Sequence, residues 1–107
     1  MYEKNLNNLI ASLRRDFEAP KAKFVCATLG QTSKEDAKGN EKMILDAMFA
    51  ISDAAKYPSL KGDVATVYTN PISMGGASNG HYGGNAKTYM NVGLAMGEAM
   101  VNLFKQR

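Results

Sequence analysis

Apolar side chains at Tyr2, Leu6, Leu9, Ile10, Leu13 and Phe17 recur at three- and four-residue steps, with Asn8, Ser12 and Arg15 off that face. That spacing predicts an amphipathic helix, which Pro20 stops. Residues 23–29, Lys-Phe-Val-Cys-Ala-Thr-Leu, form a short and nearly continuous apolar run ended by Gly30. Such a run predicts a strand covered on both faces, as in a parallel sheet. The polar segment 31–40 follows the carboxyl end of that strand, where open α/β sheets place functional loops. Within it Ser33 and Asp36 are spaced to cap a short helical turn, a role that outweighs Ser33 as a nucleophile. Asn40 is placed to cap a second helix. Its buried stripe is Met43, Ile44, Ala47, Met48, Ile51, Ala54 and Ala55, widened by Leu45 and Phe49.

Pro58, Ser59 and Gly62 predict a turn, and the β-branched run Asp63-Val64-Ala65-Thr66-Val67-Tyr68 a second strand. Residues 69–84 then read as a long loop of glycines and small polar residues, of the kind compact domains reserve for function. Asn85 caps a last helix with a stripe at Met90, Gly93, Leu94, Gly97, Met100, Val101 and Phe104. Glycine is costly inside a helix, so Gly93 and Gly97 on one face predict backbone packed close against the sheet. Lys105 and Arg107 suit the negative end of the helix dipole.

The predicted order is α-β-α-β-α. That alternation implies parallel strands, right-handed crossovers and covering helices. Two strands leave two open edges and little core. Residues 1–107 are therefore expected to be a single partial domain, the C-terminal part of a larger doubly wound α/β unit.

Composition adds exclusions. A length of 107 residues allows one modest core. The net charge of +3 is spread among interleaved acids and bases, so no basic stripe points to nucleic acid. No apolar run is long enough to span a membrane, and the chain opens on an amphipathic pattern rather than a leader. Cys26 is the sole cysteine and His81 the sole histidine, a poor start on a zinc site, so no metal or cofactor is expected. Cys26, inside an apolar strand, reads as a packed and inert thiol.

Candidate chemistry centres on Gly80-His81-Tyr82-Gly83-Gly84-Asn85. Imidazole titrates near neutrality, so it can take a proton from a hydroxyl and return it to a leaving group. A surface histidine that only makes a hydrogen bond is the alternative. A response-regulator-like domain of the same fold class would need clustered acids at a strand end, and neither strand ends in one.

Four blocks carry a resemblance. They are Tyr2-Glu3-Lys4-Asn5-Leu6 with Leu9-Ile10 and Leu13-Arg14; Lys23-Phe24-Val25 with Ala27-Thr28-Leu29-Gly30; Tyr57-Pro58 with Leu60-Lys61-Gly62 and Val64-Ala65-Thr66-Val67; and His81-Tyr82 with Asn85-Ala86, Thr88-Tyr89-Met90, Gly93 and Met96-Gly97. Together they resemble the C-terminal part of the sialate O-acetylesterase-like carbohydrate esterases of the SGNH (GDSL-type) hydrolase superfamily. The His-Tyr pair before the closing helix is the most specific piece. The resemblance implies a flavodoxin-like three-layer fold, an acetylated carbohydrate as substrate and His81 as catalytic base. Ser78, Asn79 and Tyr82 are the neighbouring candidates for orienting the ring or shaping the loop.

The chain departs from the family in two ways. It has no Gly-Gln-Ser-Asn or Gly-Asp-Ser nucleophile motif, and Ser78 stands where many members have the aspartate that orients the histidine. Asp36 and Asp63 are substitutes for that acid, or the site works as a dyad. The resemblance thus implies a segment that supplies the base while an N-terminal half supplies the nucleophile and oxyanion donors. The alternative is a short non-catalytic α/β binding or assembly module that uses the 69–84 loop and completes its sheet with a partner or a second copy.

Overall fold

The structure is a computed structural model and describes residues 1–74 and 82–105. The elements are α1 (Tyr2–Asp16), β1 (Phe24–Ala27), α2 (Gly39–Ala50), β2 (Val64–Val67) and α3 (Ala86–Lys105), with short helical turns at Pro58–Leu60, Asn70–Ile72 and Tyr82–Gly84. β1 and β2 pair in parallel, Phe24 beside Val64 and Ala27 beside Val67. The α-β-α-β-α order and the parallel pairing are as the hydrophobic pattern predicts.

Alternation along the strands sorts the helices into layers. Phe24 and Val64 face the core cluster of Ile10, Ile51 and Leu60, with Leu6 and Tyr57 packed against it. Thr66, on the same face, donates its hydroxyl to the Met48 carbonyl of α2. The other face carries Val25, Ala27, Ala65 and Val67. Lys23 shares that parity and places its ammonium 5.8 Å from the Phe104 ring of α3. The sheet therefore lies between α1 and α2 on one side and α3 on the other. Ile51 is 1% exposed, and complete burial of such a side chain contributes about 1.5–3 kcal/mol.

The elements are shorter than their patterns. α1 ends at Asp16, before Pro20 can act, because Glu18 adopts φ 52. Ala19 N–H then reaches Arg14 O (2.8 Å) and Glu18 N–H reaches Arg15 O (3.2 Å). This is a Schellman closure with glutamate in the usual glycine position, and it turns Phe17 into solvent. β1 is only partly covered, not buried on both faces, since it has a neighbouring strand on one side alone. α2 begins at Gly39, so Asn40 lies in its first turn and does not cap it. It stops at Ala50, where Ser52 Oγ donates to Phe49 O (3.0 Å) and Asp53 Oδ1 accepts from Ala55 N–H (2.9 Å). Ala54 and Ala55 are consequently exposed, and so is Met43.

The largest correction concerns α3. It meets the sheet layer through Thr88, Val92, Ala95, Met96, Ala99 and Leu103, all buried or half-buried. Most of the stripe expected inside is outside: Met90, Leu94 and Phe104 are 65%, 63% and 64% exposed, and only Met100 of its larger side chains is half-buried. A Cβ built on Gly93 or Gly97 meets nothing within 4 Å. The helix is apolar on both sides, and periodicity cannot say which side takes the sheet. The slimmer alanine-rich side is the more buried one.

One ion cluster ties the amino-terminal ends of the strands. Asp63 accepts from Lys23 Nζ (2.9 Å) and Arg14 Nη2 (3.1 Å), and Arg14 also donates to Ala22 O. The Lys23 hydrogen bond, with the charges of Lys23 and Arg14, holds the Asp63 carboxyl below its ordinary range. The unfolded chain therefore takes up that proton first. This stability is complete above the ordinary carboxylate pKa, about 3.9, and is lost as pH falls through the depressed folded value. We expect Tm to fall from pH 6 to pH 3, and to fall less steeply in Asp63→Asn. Parallel acid limbs in the two proteins would refute the assignment.

Candidate functional site

The carboxyl ends of both strands are cross-tied. Thr28 and Thr69 are buried side by side. Thr69 N–H donates to Thr28 Oγ1 (3.0 Å), and Thr69 Oγ1 donates to Thr28 O (2.7 Å). Asn70 Nδ2 donates to Gly30 O (2.9 Å), and Ser73 Oγ to Thr69 O (2.8 Å). These bonds continue the β1–β2 pairing into the loops by using side chains where the ladder has ended.

Two further ties come from the segment before and within α3. Tyr82 Oη accepts from Gly30 N–H at 3.0 Å, and its ring meets Tyr89 edge-on with centroids 5.7 Å apart. Tyr82 adopts φ 54, a left-handed conformation that a bulky residue rarely takes and that recurs at functional sites. Thr88, 0% exposed, accepts from Met74 N–H (2.7 Å) and donates to Met74 O (3.1 Å) through the same hydroxyl. Asn85 Oδ1 accepts from Thr88 N–H (2.9 Å) and so caps α3, as its position predicts. Met74 is thus held to α3 and Tyr82 to the loop after β1.

His81, Ser78 and Asn79 lie outside the described residues. Of the candidates in the loop before α3 only Tyr82 is placed, as an anchor on Gly30. The hydroxyls of Ser33 and Ser73 have structural partners. Ser33 Oγ bonds Asp36 Oδ2 (3.0 Å) and accepts from Asp36 N–H (3.3 Å), the capped turn its spacing predicts. Asp36 lies in the loop after β1, at this edge. Asp63 precedes β2 at the opposite end of the strands and is bound to Lys23 and Arg14, so it is withdrawn as the orienting acid. Burial raises the Cys26 thiol above its usual range, which disfavours the thiolate. Among the described residues no three His, Cys, Asp or Glu side chains are grouped to hold a metal ion. No described helix is long and apolar enough to cross a membrane.

Lys34 also belongs to this edge. Its N–H donates to Tyr68 Oη (2.8 Å), and its ammonium lies 4.4 and 4.5 Å from the Phe49 and Tyr68 ring centres. That contact fastens the 31–38 loop to α2 and to the end of β2.

Sequence reasoning missed Thr28, Thr69, Thr88 and Asn70 as loop clamps and read Gly30 only as a strand end. A Cβ on Gly30 would lie 2.1 Å from Ser73 Oγ and 3.0 Å from Thr69 Oγ1. Ser73 cannot swing aside without breaking its bond to Thr69 O. We expect Gly30→Ala to cost about 1–3 kcal/mol by overpacking, with part of the loss recovered in Gly30→Ala/Ser73→Gly. Equal Tm values for Gly30→Ala and the parent would show that the two loops do not close on each other. Comparison with protein-family models, curated proteins and solved structures finds no match for this chain.

Proposed function

We propose that this chain is the C-terminal part of an SGNH-type serine carbohydrate esterase and contributes its base, His81. The observation that carries the reading is the anchoring of Tyr82, the residue after His81, on the Gly30 amide. It ties the residue next to the histidine to the carboxyl edge of parallel strands, the edge at which open α/β sheets bind and transform ligands. The resemblance supplies the substrate class, O-acetylated sugars.

In this reading a serine hydroxyl on the remainder of the enzyme attacks the acetyl carbonyl, and His81 takes its proton. His81 then protonates the departing sugar oxygen, which leaves an acetyl-serine. Water, deprotonated by the same imidazole, releases acetate and restores the serine. Ser78 offers no negative charge to stabilise the imidazolium, so the site runs as a dyad or draws on Asp36.

A second reading, a non-catalytic assembly module, is favoured by the sheet's open edges and by the exposed outer face of α3. Reading the coding sequence upstream of Met1 separates the two. We expect an in-frame continuation bearing Gly-Gln-Ser or Gly-Asp-Ser, and a 107-residue chain no faster on aryl acetates than its His81→Ala variant. An in-frame stop codon there would overturn the esterase reading and leave the assembly reading.

A further inference from the structure

The edge of β1 away from β2 is built to take another strand. Phe24 N–H donates to Asp63 O (2.9 Å) and Thr28 N–H to Val67 O (3.0 Å). Hydrogen bonding alternates along a parallel strand, so residues 24, 26 and 28 address β2. The N–H and C=O groups of Val25 and Ala27 then point the opposite way. Among the described residues no strand lies on that side. Beside it runs an apolar groove of about 200 Å³ between α1 and β1, lined by Leu6, Leu9, Leu13, Phe24, Val25 and Cys26 among others. Leu9 and Leu13 on its rim are exposed.

The occupant must supply main-chain donors and acceptors together with apolar side chains, and β1 itself has both. Residues 24–29 carry no charge and no proline, the devices that ordinarily blunt a free edge. Arg14 and Lys23 are both tied to Asp63, which leaves each edge one net positive charge, held at the amino-terminal end of the strands. The alternation also makes the edge self-complementary. In an antiparallel arrangement about a two-fold axis beside Cys26, Val25 faces the partner's Ala27, and Ala27 faces the partner's Val25. Each pair exchanges two hydrogen bonds, which satisfies every outward group of both residues.

We propose that the free β1 edge pairs antiparallel with the β1 edge of a second copy, making one four-stranded sheet through two chains. The assembly deepens the assembly reading and competes with the esterase reading, in which a strand of the N-terminal part would claim an open edge of the same sheet. The pairing sets Cys26 against the partner's Cys26 as a non-hydrogen-bonded pair, with Cα atoms about 4.5 Å apart. That separation lies within the span a disulfide bridges.

Sedimentation of the 107-residue chain at micromolar concentration should show a two-chain species that dissociates on dilution. Mild oxidation at slightly alkaline pH should cross-link Cys26 in that species and not in dilute chain. Ala27→Pro removes one outward N–H and leaves the ladder to β2 untouched, so it should abolish the dimer and keep the far-ultraviolet circular dichroism. Amide exchange in the parent chain gives the same test without a variant, since Val25 and Ala27 should lose protection on dilution. A chain that stays monomeric overturns the proposal. So does a dimer in which Cys26 does not cross-link and both amides exchange as in dilute chain, which would assign the contact to another surface such as the outer face of α3.

Discussion

Under the proposed esterase reading, replacing His81 with alanine in the complete enzyme should lower aryl-acetate turnover about a thousandfold or more. Removing one member of a serine–histidine pair costs that much because no other group can accept the hydroxyl proton. The residual rate would come from oxyanion donors and substrate binding, which the substitution leaves in place. The loss should fall on kcat with little change in KM, since the base acts only as the proton moves. The acid limb of kcat/KM should report protonation of the His81 imidazole in the free enzyme. Turnover within a fewfold of the parent would remove His81 from the chemistry and the esterase reading with it.

Thr88→Val should be the most damaging substitution to the fold at this edge. Valine keeps the shape and removes the hydroxyl, and both main-chain groups of Met74 then lose their partner. An unsatisfied polar group costs about 1–3 kcal/mol. With two such groups in part-buried bonds, we expect about 2–4 kcal/mol and a Tm lower by on the order of 10 °C. Thr88→Ser keeps the hydroxyl and should lose much less. Equal losses for valine and serine would assign the role of Thr88 to packing of its methyl group rather than to the clamp on Met74.

Element order and strand pairing were legible in the sequence because each strand is a short β-branched or apolar run bounded by turn residues. Ser33 and Asp36, and likewise Asn85, were legible because a cap is local: its donor and acceptor are three residues apart. What stayed hidden depends on distant partners. Thr28, Thr69 and Thr88 look like ordinary polar residues until the strands are set side by side and their hydroxyls replace the missing ladder. Gly30 reads as a strand terminator until Ser73 is found against it. α3 was misjudged because hydrophobic periodicity measures how apolar a face is and not which neighbour it meets. Met90, Leu94 and Phe104 outweigh Ala95 and Ala99 on any such scale, yet the alanines are half-buried and those three are exposed. The glycine-rich motif around His81 names a candidate base by residue type alone, and Tyr82 is the part of it whose surroundings are described.

α1 has a consequence for the order in which the chain becomes a fold. Its hold on the rest of the molecule is remote: Glu3 accepts from Tyr57 Oη across 54 positions (2.6 Å) and pairs with Lys56 Nζ (2.7 Å), while Arg14 reaches Asp63 across 49. Its buried contact, Ile10, waits for Ile51, Leu60 and Val64. Within this chain a ribosome delivers α1 before its anchors, so the helix emerges with Leu6 and Ile10 uncovered until the second strand is released. Nascent chains stalled before Tyr57 should therefore engage chaperones through this segment, and those extended past Val67 should release them.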